Sequence, residues 1–284
     1  MRMSVPRSPT ASLLDDAIGL FGPDSITWRV HADPLLIVGG LRALFLQALH
    51  PLALAGVAEH SGFKEDPWGR LGRTAEFVGV LTYGTRSEAI KAAARVRGAH
   101  RGLTGVEPES GTPYRVDDPA LLLWVHCCEV DSFLSSIRRG GAELSDAEAD
   151  SYLREQGLAA ELMGVPRADV PSERADLADY FTDMRPMLRA TAESQRAARF
   201  LLAPPMPGWV RVLTPARPAW GGLATLAFGL LPSWARKMYR LPGLPTTDAA
   251  ATAGVRALRS SLQRLPLGWR EGPARKAARE RLAS

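Results

Sequence analysis

The run PALLLWVHCCEVDSFLSSIRR, from Pro119 to Arg139, constrains the fold more than any other stretch. Its first half is apolar nearly all the way round a helix, and a helix without a polar face has to be surrounded by other elements. Asp118 is placed to cap it, Pro119 to occupy its first turn, and Gly140-Gly141 to end it. The rest of the chain must therefore supply helices or sheets that wrap one central buried helix.

The other segments read as helices. Residues 1–10 form a loose arm, and a helix over Ala11–Leu20 stops at Gly22-Pro23. Ser25–Val30 is short and compatible with either helix or strand. Asp33 and Pro34 open a helix through LLIVGGLRALFLQAL, in which Gly39-Gly40 marks the close approach of another backbone or a flat ligand. His50-Pro51 interrupts it, and Leu52–Glu59 continues in a new direction. Ser61–Gly69 is a loop, and so is Gly102–Asp117, long enough to form a lid or rim. Ser145 and Glu148 form a capping box for a helix that ends near Gly164. Further helices span Glu173–Asp183, Arg185–Leu202, Thr247–Arg264 and Pro273–Ala283. Alternation of the strand type is nearly absent, and no period of 20–50 residues recurs. The expectation is an all-α, single helical domain: an N-terminal arm and helix (1–24), a helical core (25–203), and a Pro-rich, basic helical portion (204–284) that belongs to the same domain or forms a lid.

A hydrophobic share of 46% and a charged share of 23% over 284 residues exclude wholesale disorder. The net charge is only +5, so no nucleic-acid partner is expected. The basic residues crowd the C-terminus (Arg270, Arg275, Lys276, Arg279, Arg281), where a solvated amphipathic helix is the simplest account. Cys127 and Cys128, the only cysteines, are adjacent and point to different helix faces, which points to a reducing, cytoplasmic setting. Uncharged 218–235 is marginal in length and interrupted by Gly and Pro. It suits a buried or interfacial hairpin better than a span, and with the basic C-terminus it is the candidate for peripheral membrane contact.

Paired Glu-x-x-His motifs for a di-iron site, a His-Glu-x-x-His zinc motif, a Walker loop, a dinucleotide fingerprint and a Gly-x-Ser-x-Gly elbow are all missing. Only a reversed pair, His126 and Glu129, comes near the first. All five histidines fall in the first half of the chain, which places any site there. The polar constellation lies in two helices joined by the short turn Tyr83–Ser87, antiparallel neighbours by connection length. Arg70, Arg73, Thr74 and Phe77 share one face of the first; Arg97 and His100 share a face of the second. A neutral imidazole is a good axial ligand for haem iron, and guanidinium groups pair with propionates. Taken singly, these residues also have plain structural readings. A buried His is usually just hydrogen-bonded, His126 and Trp124 fit a core, His50 fits a helix break, and Arg70 and Arg73 fit an exposed face.

In combination, Arg70-x-x-Arg73-Thr74, Arg97-x-x-His100 and Trp124-x-His126 resemble the bacterial domain of unknown function 2236, also called the MpaB/rubber oxygenase catalytic domain. The stretches GGLRALFLQALHPLALAGVAEHS, DPWGRLGRTAEFV, TYGT, YRVDDPALLLWVHC and EVDSFL look typical of its members, and the likeness covers about Trp28 to Met187. The resemblance implies an all-helical, distantly globin-like core holding non-covalent haem b. It puts His100 as the proximal iron ligand with Arg97 one turn before it. Arg70 and Thr74 match the Arg and Thr of the distal helix, and His126, with Trp124 two residues earlier, matches a pocket position. Arg73 departs from the Lys of the rubber enzymes. A guanidinium is a poor metal ligand, so an open or water-bound sixth position is expected.

The resemblance further implies a haem-b oxidoreductase, an oxygenase acting on an apolar, unsaturated, isoprenoid-like small molecule. O₂ would be met on the side lined by Arg73 and Thr74. A haem protein with desaturase, dehydratase or peroxidase-like chemistry is one alternative; a non-catalytic helical lipid- or membrane-surface-binding protein is another.

Overall fold

A computed structural model of the chain describes residues 16–62, 65–206, 214–241 and 243–283. The N-terminal arm and the first half of the Ala11–Leu20 helix expected from sequence lie outside the described residues. The elements are α1 (Ile26–His31), α2 (Leu36–Gln47), α3 (Pro51–His60), α4 (Pro67–Tyr83), α5 (Arg86–His100), β1 (Thr104–Val106), β2 (Pro113–Arg115), α6 (Pro119–Arg139) and α7 (Asp146–Met163). They continue with α8 (Arg174–Met184), α9 (Ala192–Leu202), α10 (Ala216–Gly229), α11 (Ser233–Met238), α12 (Pro245–Gln263), α13 (Leu267–Arg270) and α14 (Pro273–Ala283). The fold is all-α apart from one antiparallel hairpin, in which Thr104, Gly105 and Val106 pair with Arg115, Tyr114 and Pro113.

Helix α6 is the axis. The Asp118 side chain accepts from the Ala120 amide, Pro119 sits in the first turn, and Gly140 closes the helix. By length and composition α6 is apolar enough to cross a membrane, yet most of it is buried inside the molecule. Its main partner is α2. Gly39 sets their spacing: a Cβ there would stand 2.8 Å from Phe133 Cδ1 and 3.1 Å from Phe133 Cα, so the two backbones meet where a side chain would separate them. Val38, Leu41, Phe45, Leu46 and Leu49 of α2 bury against Trp124, Cys127, Val130, Phe133 and Ile137 of α6. Ala224 and Ala227 of α10 and Ala251 and Val255 of α12 complete the same core, so the C-terminal portion packs into the centre.

Three segments differ from their sequence reading. Gly102–Asp117 contains the β-hairpin, too short to show alternation. Arg185–Leu202 is broken: Pro186 lies in a short 3₁₀ turn, and a Thr191–Ser194 capping box starts α9 only at Ala192. The helix opened by Asp33 begins later, at Leu36, because Asp33 Oδ1 instead caps the Leu35 amide in the preceding turn. The apolar segment 218–235 joins the core through Ala224, Ala227, Leu230, Leu231 and Ala235. The basic tail, α14, lies along α4. Its Ala278 is fully buried, and Arg281 donates to the carbonyl oxygens of Ala17 and Tyr83.

Candidate functional site

The His50-Pro51 break turns α3 through 109° from α2, with His50 Nδ1 accepting from the Ala53 amide across the corner. That bend keeps α3 out of the α2–α6 interface. The α4–α5 hairpin follows, closed by a Thr85–Glu88 capping box. It attaches to the body through α14 and α1, which pack on α4, and through α7, which packs on α5; neither helix of the hairpin packs closely on α6 among the described residues. A hollow is left between the hairpin and the central helix.

The burial pattern of α6 shows the wall of that hollow. Leu122, Val125, His126 and Glu129 lie at i, i+3, i+4 and i+7, and all four keep part of their surface open. The other positions from Leu121 to Val130 are closed by neighbours. Val125 of this stripe and Pro67, Arg70 and Leu71 of α4 line one cavity, together with Leu44, Ala53, Leu54, Val57 and Phe200. The cavity opens on one side and is almost wholly apolar, as the linings of small-molecule and cofactor sites are. On the inward stripe of α4, Thr74 is exposed while Arg70, Leu71, Phe77 and Val78 around it are half-buried.

Four ionisable groups on α4, α5 and α6 stand out by their burial. Arg70 is the one cation on the cavity wall, and among the described residues it has neither a hydrogen-bond acceptor nor a carboxylate partner. Burial, and then the neighbouring charge of Arg73, hold its pKa below the usual arginine range. His100, at the end of α5, is half-buried. Its Nδ1 is sealed from solvent and has no hydrogen-bond partner among the described residues. Burial lowers its pKa against a weaker pull from Asp117, which keeps the imidazole neutral. His126 is pushed down to about 4 by burial, assisted by Arg167. Glu129, one turn further on, is pushed up to about 7 by burial alone. No hydrogen bond or ion pair holds the Glu129 carboxyl among the described residues. A carboxyl raised in this way is a mark of functional sites. Sequence offered a faint signal, the His126/Glu129 spacing, which had served only to dismiss a di-iron motif.

The remaining residues singled out from sequence are placed otherwise. Arg73 is exposed at the rim and pairs with Asp66 at 3.1 Å; the Thr74 hydroxyl donates to the Arg70 carbonyl at 3.0 Å. Arg97 is exposed and donates to the Leu162 carbonyl at the end of α7, so its guanidinium ties the hairpin to α7. Trp124 is fully buried on the α2 side of α6, where its indole N–H donates to the Gln47 carbonyl at 3.1 Å. It fills the core and does not join the open stripe. No three His, Cys, Asp or Glu side chains converge into a metal cage among the described residues, so an ion here would have to bring most of its ligands with it.

A helical body with an apolar cavity and a half-buried cation on its wall is the frame of a small-molecule enzyme. The chain belongs to the family of the ER-bound oxygenase mpaB/B′ and rubber oxygenase catalytic domain, whose family model matches residues 28–263. Its chemistry is accordingly that of an oxygenase, acting on a small molecule with O₂. No curated protein and no solved structure shows a significant match to the chain.

Proposed function

We propose that the chain is a haem-b-dependent oxygenase acting on an apolar, unsaturated small molecule. The observation that carries this reading is a complementary pair of groups on adjoining helices that lack partners among the described residues, the neutral His100 imidazole and the Arg70 guanidinium. A half-buried imidazole with an orphaned nitrogen suits an axial ligand, and an unpaired cation in an apolar wall suits a propionate. Both features fit the group, and neither is explained by packing. When bound, haem b supplies the redox-active iron at which O₂ is activated.

The chain's own residues then have definable tasks. Arg70 binds and orients a carboxylate at the cavity wall. Leu44, Leu54, Val57, Leu71 and Phe200 exclude water and accept an apolar substrate. The Thr74 hydroxyl, its proton engaged by the Arg70 carbonyl, offers its oxygen lone pairs as an acceptor on the exposed part of α4. Glu129, titrating near 7, holds or releases a proton at its carboxyl under neutral conditions, as a general acid or base must. His126, held well below the usual imidazole range by burial, stays neutral over the same pH range. Arg73 and Arg97, engaged with Asp66 and with Leu162, are assigned to holding the rim and the hairpin.

The test is spectroscopic. Protein produced with ample iron and porphyrin precursor is expected to purify reddish-brown with a Soret band. His100→Ala should abolish or shift that band, and Arg70→Ala should weaken haem retention. A colourless wild-type protein removes the haem; an unaltered band in His100→Ala removes His100 as ligand. O₂ consumption with terpenoid pools then separates oxygenation from other haem chemistry.

A further inference from the structure

The segment Arg264-Leu265-Pro266-Leu267-Gly268-Trp269-Arg270 connects α12 to α14 through α13. Its three large apolar side chains, at alternate positions, all point to solvent: Leu265 is 40% exposed, Leu267 41% and Trp269 83%. They are held there by structure. The Trp269 amide donates to the Pro266 carbonyl and the Glu271 amide to the Leu267 carbonyl, both at 2.9 Å, so the segment is a fixed turn that displays them. Isolated exposed apolar residues are ordinary, but three on one seven-residue turn, with a tryptophan at the tip, form a patch that calls for a partner.

The charges say which partner. Arg264 and Arg270 bracket the patch, and neither has an acidic partner among the described residues. The nearby acid, Glu271, is turned inward with its side chain only 8% exposed, held by Arg279 at 3.1 Å and Arg275 at 3.7 Å. The turn therefore presents apolar side chains inside a purely cationic frame. Tryptophan and leucine flanked by arginine is the composition that enters the headgroup boundary of a bilayer, with the indole at the polar level and the guanidiniums on anionic lipid. A second copy of the chain fits less well, because three side chains fall far short of the roughly 800 Å² per partner of a stable interface. We infer that the turn 264–270 docks the protein on an anionic lipid surface. The dock lies apart from segment 218–235, whose apolar residues are occupied in the core. It does not depend on the haem.

Flotation of the full-length protein with vesicles tests this, using phosphatidylcholine alone and phosphatidylcholine mixed with phosphatidylglycerol. Wild type should float with the anionic vesicles at low ionic strength and remain behind with the zwitterionic ones. Arg264→Gln and Arg270→Gln should each weaken partitioning about fivefold. The triple variant Leu265→Ser, Leu267→Ser, Trp269→Ser should lose flotation while keeping its helical circular dichroism and melting temperature. A wild type that does not float overturns the assignment, as does a triple variant that floats equally well. A wild-type dimer that the triple variant dissolves, without flotation, overturns it in favour of a second copy.

Discussion

Two sides of helix α6 treat the same residue types in opposite ways. On the α2 side, Arg42 is only 3% exposed and fully engaged: it meets Asp131 and Ser132 at 2.7 Å each and the Leu230 carbonyl at 3.0 Å. Nearby, Arg236 is buried against both carboxylate oxygens of Asp248. On the hairpin side, Arg70, His100 and Glu129 are half-buried and have no hydrogen-bond or ion-pair partner among the described residues. Burying a charge is tolerable where the fold supplies its counterpart, as around Arg42. Where the fold supplies none, the group is held ready for something else, and that asymmetry locates the site better than any motif does.

The comparison breaks most visibly at Arg42. Arg42→Ala should cost about 3 kcal/mol by chemical denaturation, because it empties a buried side-chain site and removes the bonds to Asp131, the buried Ser132 and the Leu230 carbonyl. A loss below 1 kcal/mol would mean that the paired side is not structurally different from the open side.

Glu129 gives the next largest effect, and its sign depends on pH. Its carboxyl titrates near 7 in the folded chain against 4.5 normally, so the folded state holds the proton more tightly. Below about pH 4.5 the side chain is protonated in both states and imposes no penalty. As pH rises towards 7 the carboxylate becomes increasingly unfavourable in the fold, to at most about 3 kcal/mol. Glu129→Gln should therefore match wild type at pH 4.5 and exceed it increasingly up to pH 7–8, as read from urea midpoints. A constant difference across that range would place the carboxyl in contact with water or with a partner.

Arg70 sharpens the contrast with the smallest effect. In ligand-free protein, Arg70→Met should change stability by less than about 1 kcal/mol, or raise it slightly, since an enclosed cation without a partner contributes little. A loss comparable to that of Arg42→Ala would show that Arg70 is a structural residue.

Much of the helix layout is legible in the chain. Asp118-Pro119 and Gly140 bound α6, Ser145 and Glu148 start α7, His50-Pro51 turns the corner, and Pro273 opens α14, because caps and proline act within a few residues of themselves. The close approach at Gly39 was equally local in its signal. The broken Arg185–Leu202 segment and the 104–115 hairpin were not legible, since Pro186 and Thr191 compete over adjacent turns and three-residue strands carry no period. Within the site, spacing alone placed Arg70 and His100 on a neighbouring pair of helices. It could not say that Trp124 turns to the core while His126 and Glu129 turn to the hollow, because adjacent positions on an apolar helix look alike until a partner covers one face.

The sequence by itself determined that this chain is helical, that α6 lies at its centre, and which family it resembles. Tertiary structure alone decided which charges are paired and which wait, because burial and partnership are set by helices distant in the chain. Local rules fix where a helix begins and ends; only packing fixes which of its faces is left open.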